Sequence, residues 1–280
     1  MPVIIDINSE AAKLGMLLRQ TPQATLAKRK SSVTRLGTYR DGILLLGTSA
    51  GTGPGHWETH PEDELIHILE GTRTLEIVCD DGPPKSFELH AGMIAVIPLG
   101  AWHRFHSLDV GMVMSATIPG DHIDLDIDDP RMSAPDIDVG SAMRPPIIID
   151  LNAELAKLTM FRGRTPRTTF ADRKGSAANL APYRDGILLL SKWSGGKTHW
   201  ETHLAEELVY VLDGTVILDI VEEDRPQSHA LGPGMMVVVP QGAWHRFHSA
   251  DDHSAMSATV PGEHIDLDVD DPREIQGRPA

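Results

Sequence analysis

Imidazole and carboxylate side chains recur in this chain at a spacing that suits a divalent metal ion. Glu58, His60, Glu64 and His103 form one set; Glu201, His203, Glu207 and His245 form a second, about 140 residues later. Each set is threaded by the same turn residues: Gly71, Gly92, Pro98 and Gly100 in the first, Gly214, Gly234, Pro240 and Gly242 in the second. Two carboxylates and two imidazoles suit divalent Mn, Fe, Ni, Co or Zn. Three or four protein ligands leave open positions, where an ion can polarise a substrate oxygen or activate water. The competing reading is a hydrogen-bonded polar cluster with no ion, but burying four such groups without a partner is costly. Glu58 and Glu201 are either ligands or residues at the rim.

Strands are the elements that must position these groups. Side chains two apart on a strand share a face, so Glu58 and His60 point together, as do Glu201 and His203. Glu64 joins them after the short turn Pro61-Glu62-Asp63. The turn Pro98-Leu99-Gly100 is expected to bring the strand carrying His103 back beside the first. Segments 42–47, 65–69, 72–78, 93–97 and 110–117 are rich in Ile, Leu and Val and are punctuated by Gly, Pro and Asp. Asp80-Asp81-Gly82-Pro83-Pro84 and Glu222-Glu223-Asp224-Arg225-Pro226 read as hairpin loops. Each half opens with an apolar segment, 3–7 and 147–151, followed by Asn8 or Asn152 as an N-cap of one short helix. Many short strands and no long helical period predict an all-β fold, a barrel or jelly roll.

The duplication extends well beyond the ligand sets. Tyr39-Arg40-Asp41-Gly42-Ile43-Leu44-Leu45-Leu46 recurs unchanged from Tyr183, and Gly100-Ala101-Trp102-His103-Arg104-Phe105-His106-Ser107 from Gly242. His122-Ile123-Asp124-Leu125-Asp126 recurs from His264. Two single-residue gaps, near 51–55 and 80–88, account for the drift in offset. Two long repeats imply two whole domains of one fold rather than a solenoid. The join lies in the Pro-, Ser-, Ala- and Gly-rich stretch 132–146, which gives domains of 1–140 and 141–280.

The net charge of -15 over 280 residues argues against nucleic-acid and anionic-membrane surfaces, which need a basic face. Cys79 is the one cysteine and cannot form an intrachain disulfide; it reads as a small core residue. No stretch approaches the ~18 apolar residues of a spanning helix, and the N-terminus lacks a leader pattern, so a cytoplasmic protein is expected.

The two motifs resemble those of the cupin superfamily: a glycine, two histidines, a glutamate and a glycine, then a glycine, proline, glycine, histidine and asparagine. Residues from His60 through Glu64 to Gly71 and from His203 through Glu207 to Gly214 match the first, and Gly195 is also in register. Gly92, Pro98, Gly100 and His103, and Gly234, Pro240, Gly242 and His245, match the second. The resemblance implies tandem cupin double-stranded β-helix barrels, a bicupin, with a divalent transition metal as cofactor. The chain departs from the pattern at Glu58 and Glu201, where the family has its first His, at Thr52, where it has Gly, and at Ser107 and Ser249, where it has Asn. A carboxylate there leans the site towards Mn(II) or Fe(II). Alternatively His56 and His199, two residues earlier on the same face, supply the missing imidazole.

Trp102 and Trp244 adjoin proposed ligands and are assigned to core packing or pocket lining, like Trp57 and Trp200. His106 and His248 are candidate supporting groups for the ligands, and Arg104 and Arg246 are expected to point outward. The runs from His122 and His264 read as edge strands with one charged face. The resemblance implies dioxygenase, isomerase, lyase or decarboxylase chemistry on a small organic molecule, with a dioxygenase favoured and a homodimer expected. A non-catalytic ligand-binding or structural protein is the alternative. Ligands kept in both halves favour the enzyme.

Overall fold

The structure is a computed structural model and describes residues 1–19, 21–24, 29–49, 53–79, 82–133, 144–223 and 225–276. Thr52, Asp80, Asp81, Asp224 and most of the predicted join lie outside the described residues. The chain forms two compact units, Ser9–Asn152 and Met1–Asn8 with Ala153–Ala280. Each unit is a jelly roll with a short helix.

In the unit Ser9–Asn152, one sheet runs in the order Ile147–Asp150, Met93–Ile97, Glu64–Glu70, Gly111–Thr117, Gly42–Ser49, Val33–Tyr39. The other runs His122–Ile123, Trp57–Glu58, His103–Ser107, Thr72–Ile77, Lys85–His90, with Gly53–Pro54 beside His103–Ser107. The apolar strands expected from the sequence are present, and Thr72–Ile77 and Lys85–His90 pair as the predicted hairpin. Between the sheets lies a core of Ile66, Ile68, Leu75, Ile77, Leu89 and Ile97, each almost fully buried. Cys79 is buried as expected.

The other unit repeats this arrangement with an added strand, Phe161–Arg164, and with one long strand where the first barrel has two. His245–Thr259 is a single strand of 15 residues. It spans what in the first barrel are two strands, His103–Ser107 and Gly111–Thr117. Between those two strands of the first barrel, Asp109 accepts the Thr72 amide at 2.7 Å.

Both units are completed by a strand from far away in sequence. Val3–Asp6 pairs antiparallel with Met235–Val239, and Ile147–Asp150 with Met93–Ile97. Each apolar opening segment thus covers the sheet edge of a distant strand. The predicted boundary between residues 140 and 141 falls outside the described residues. The helices expected after the opening segments are Ile7–Ala11 and Leu151–Lys157. Each begins one residue before its Asn, so Asn8 and Asn152 sit in the first turn rather than at the N-cap. They pack on the motif glycines. Gly234 (φ +78) and Gly92 (φ +87) are left-handed, and a Cβ on either would sit 2.5 or 2.4 Å from the amide nitrogen of Asn8 or Asn152. No described helix is long and apolar enough to cross a membrane.

Candidate metal centre

The ligand residues are gathered by strand register. His103 lies directly opposite Glu58 across an antiparallel pair, and His245 opposite Glu201. Directly opposed residues share a face, so each pair points the same way. The Gly100 amide donates to the His60 carbonyl at 2.8 Å, and the Gly242 amide to that of His203 at 3.0 Å. These bonds close the predicted Pro-x-Gly turn against the first motif and bring the second histidine to the first.

In the first barrel, one donor atom from each of Glu58, His60 and His103 lies within 4.8 Å of the others. Glu64 completes the group, with Oε2 3.0 Å from His103 Nε2 and 3.5 Å from His60 Nε2. The second barrel repeats it. Glu201, His203 and His245 cluster within the same limit, and Glu207 Oε2 lies 3.0 Å from His245 Nε2 and 3.7 Å from His203 Nε2. All eight predicted residues are thus brought into two clusters.

The tautomers fit metal ligation. His60 Nδ1 is 2.9 Å from the Ile118 carbonyl, His103 Nδ1 3.0 Å from that of Ala101, and His245 Nδ1 3.0 Å from that of Ala243. A carbonyl has no proton to give, so each Nδ1 is the donor and Nε2 faces the cluster. In the first barrel His60 Nε2, His103 Nε2 and Glu64 Oε2 are buried without a hydrogen-bond partner. His203 Nε2 is likewise unpartnered in the second. Buried polar atoms rarely go unpaired, and a shared cation satisfies them together. The clusters fit a divalent transition metal ion.

The electrostatics agree. Burial opposes charge on Glu64, but His60 and His103 outweigh it and lower its pKa to about 2. Burial likewise opposes charge on Glu201, outweighed by His199, His245 and His203, and its pKa also falls to about 2. Burial works against the His60 imidazolium, yet Glu64 and Glu58 raise its pKa to about 9. Without metal, a proton therefore stands where a cation would bind. Both carboxylates, having depressed pKa values, contribute stability that is complete above about 4.5 and lost as pH falls towards 2. His60, having a raised pKa, contributes stability that is complete below 6.5 and lost as pH rises through 9. Metal-free protein is accordingly expected to be most stable between these limits. Urea melts from acid to alkaline pH check this; undiminished stability of the first barrel at pH 9 contradicts it.

The remaining predicted residues divide. His56 Nε2 sits 3.1 Å from Glu58 Oε2, and His199 Nε2 3.2 Å from Glu201 Oε2. They hold the carboxylates from the outer side. His122 and His264, read from sequence as parts of charged edge strands, stack near them and line the cavities, with ring centroids 5.5 and 5.0 Å from His56 and His199. His106 and His248 face Glu76 and Asp219, away from the clusters. Trp102 is buried against Trp57 and Val78, and Trp244 is half-buried; neither lines the cavity beside its cluster.

Arg104 and Arg246 correct the expectation that they reach solvent. They do leave the metal side of the strand, but both are buried. Arg104 Nε pairs with Glu76 at 2.5 Å and Arg246 Nε with Asp219 at 2.9 Å. Their guanidinium carbons lie 4.7 and 4.5 Å from the ring centres of Trp57 and Trp200. The carbonyl of Ile127 accepts from both Arg104 and Trp57, and that of Val269 from both Arg246 and Trp200. The repeated acidic segment therefore folds over the arginine and shuts it from water.

Each cluster opens into a cavity, of about 460 Å³ in the first barrel and 520 Å³ in the second. Arg29 and Arg73 line the first, and Arg164 and Arg173 the second. Sequence reasoning misses all four. The one signal for them is that Arg29-Lys30 and Arg173-Lys174 hold matching places in the repeat, ten residues before Tyr39 and Tyr183.

The chain matches the cupin domain at residues 46–115 and 192–261, together half of its length. Over 110 residues it is 28% identical to acireductone dioxygenase of Rhodopseudomonas palustris strain TIE-1, covering 39% of this chain and 63% of that protein. The chain thus spans under two thirds of that relative. Among solved structures, a cupin 2 conserved barrel domain protein from Leptotrichia buccalis superposes with a TM-score of 0.55 at 12% identity, covering 92% of this chain and 96% of that one. Oxalate decarboxylase from Bacillus subtilis, a protein with Mn(II) centres, gives 0.51 at 10% identity, covering 94% and 78%. At these identities the structural likeness shows the fold alone. The chain belongs to the cupin family and carries its domain twice.

Proposed function

We propose that this chain is a metal-dependent bicupin enzyme that acts on a small organic molecule, with dioxygenase-type oxidation as the favoured chemistry. The observation that carries the reading is the convergence of unpartnered Nε2 atoms from His60 and His103 on Glu64 beside a cavity, echoed in the second barrel, where the unpartnered His203 Nε2 and the His245 Nε2 that bonds Glu207 meet the same way. Glu58, His60, Glu64 and His103 would hold one ion, and Glu201, His203, Glu207 and His245 another. When bound, a divalent ion supplies Lewis-acid and, for iron or manganese, redox chemistry. His56 and His199 orient the outer carboxylates. The backbone carbonyls of Ile118, Ala101 and Ala243 fix the imidazole tautomers, so the site is organised before substrate arrives.

The favoured chemistry leans on the acireductone dioxygenase match and on the carboxylate-rich donor set, which suits Mn(II) or Fe(II). Elemental analysis of protein purified without added metal tests the reading. Close to one ion per barrel is expected, together with a higher melting temperature on adding Mn(II) or Fe(II). Fewer than ~0.2 ions per chain and no stabilisation would favour a non-catalytic binding protein.

A further inference from the structure

We infer that the second barrel takes an organic carboxylate with an apolar body, its head group held by Arg164 and Arg173. Both residues line the cavity that holds Glu201, His203 and Glu207, and the exposed Arg167 lines it too. Arg164 and Arg173 are more than nine-tenths buried, and the Nε of each lacks a hydrogen-bond partner. Among the described residues, no carboxylate lies within ion-pair distance of either.

Burial is the main force lowering the pKa of Arg164, to about 9, and Arg173 adds repulsion. Glu201 partly offsets this from a distance. Two neighbouring cations buried without an anion are costly, and a bound anion relieves the cost. The requirement sharpens with metal present. A divalent ion would neutralise Glu201 and Glu207 and leave both arginines uncompensated. A planar carboxylate matches the guanidinium fork.

The rest of the wall sets the body of the ligand. Ile187, Leu189, Val209, Phe247 and Ala255 line the same cavity and offer apolar surface. Inorganic phosphate or a small dianion would leave that wall wetted. Arg164 is held rigidly, its strand Phe161–Arg164 running parallel to Gly186–Lys197 and its guanidinium 5.3 Å from the Trp193 ring centre. The first barrel echoes the device. Arg29, which corresponds to Arg173 in the repeat, lines that cavity and also has an unpartnered Nε. Its companion Arg73 is already engaged by Ser49 at 2.7 Å and faces Asp109 at 3.7 Å, so the second barrel is the stronger anion site.

The inference deepens the metal-centre reading by naming the substrate class, and its test separates the two. The Mn(II)-loaded full chain is titrated calorimetrically with hexanoate, 1-hexanol and inorganic phosphate. Hexanoate is expected to bind at least about tenfold more tightly than either of the others. Arg164→Met and Arg173→Met are each expected to weaken hexanoate by about tenfold or more at one site per chain, with Mn(II) content unchanged. Arg173→Lys, which keeps the charge, is expected to retain part of the affinity. Should the methionine variants fail to fold, the wild-type ranking of hexanoate against hexanol decides alone. Equal binding of hexanol, tighter binding of phosphate, or folded methionine variants with undiminished affinity would overturn the inference. A chain that holds no Mn(II) yet prefers hexanoate and loses it in the variants would uphold this inference while defeating the metal-centre reading.

Discussion

His103→Ala and His245→Ala are each expected to lower the metal content of the purified chain by one ion, measured by elemental analysis against protein concentration. Both histidines are fully buried, and both have Nδ1 committed to a backbone carbonyl, so Nε2 is the atom free to ligate. Removing either takes the nearer of two imidazoles, 3.0 Å away, from Glu64 or Glu207, so a ligand and part of the charge balance are lost together. The two substitutions should act independently, because each barrel carries its own ligand set. The double variant is therefore expected to be metal-free. Unchanged metal content in folded single variants, checked by circular dichroism, would refute the ligand assignment.

The second large effect lies away from the cavity. Arg246→Ala is expected to cost about 3–5 kcal/mol, read from urea melts of the transition belonging to the second barrel. Arg246 and Asp219 are both buried, so the truncation removes the guanidinium from an interior carboxylate and leaves it only Ser228 and the partly exposed His248. It also removes the cation resting on Trp200 and the donor to the Val269 carbonyl. Arg104→Ala should cost less, because its partner Glu76 is 22% exposed and water can take over the solvation. A double-mutant cycle with Asp219→Asn isolates the pair. A loss below about 1 kcal/mol for Arg246→Ala would mean that the acidic segment does not seal the arginine.

Much of the metal centre is legible in the order of residues along the chain. His60, Glu64 and His103 are recognisable by type and spacing, and the alternation of side chains on strands predicts that Glu58 faces with His60. The turn at Pro98-Leu99-Gly100 marks the return of His103, since Pro and Gly restrict the backbone locally. Arg104 and Arg246 are not legible in this way. A charged residue in an alternating strand reads as outward-facing, and only the segments ending at Ile127 and Val269, over twenty residues on, cover it. His122 and His264 escape a local reading for the same reason, because what decides their surroundings is the strand they pair beside.

By itself, the sequence determined the duplication, the all-β character, the ligand types and the turns that space them, because each is written in local periodicity and in residues with restricted backbone geometry. Tertiary structure alone decided which strands meet. Val3-Ile4-Ile5-Asp6 and Ile147-Ile148-Ile149-Asp150 are nearly interchangeable as sequences, yet one completes the sheet at Met235–Val239 and the other at Met93–Ile97. Pairing and burial are non-local, and an apolar strand carries no label for its partner. The same holds for Arg164 and Arg173. Their type is visible in the chain, but their burial beside one another in a cavity is a property of the space that the second barrel encloses.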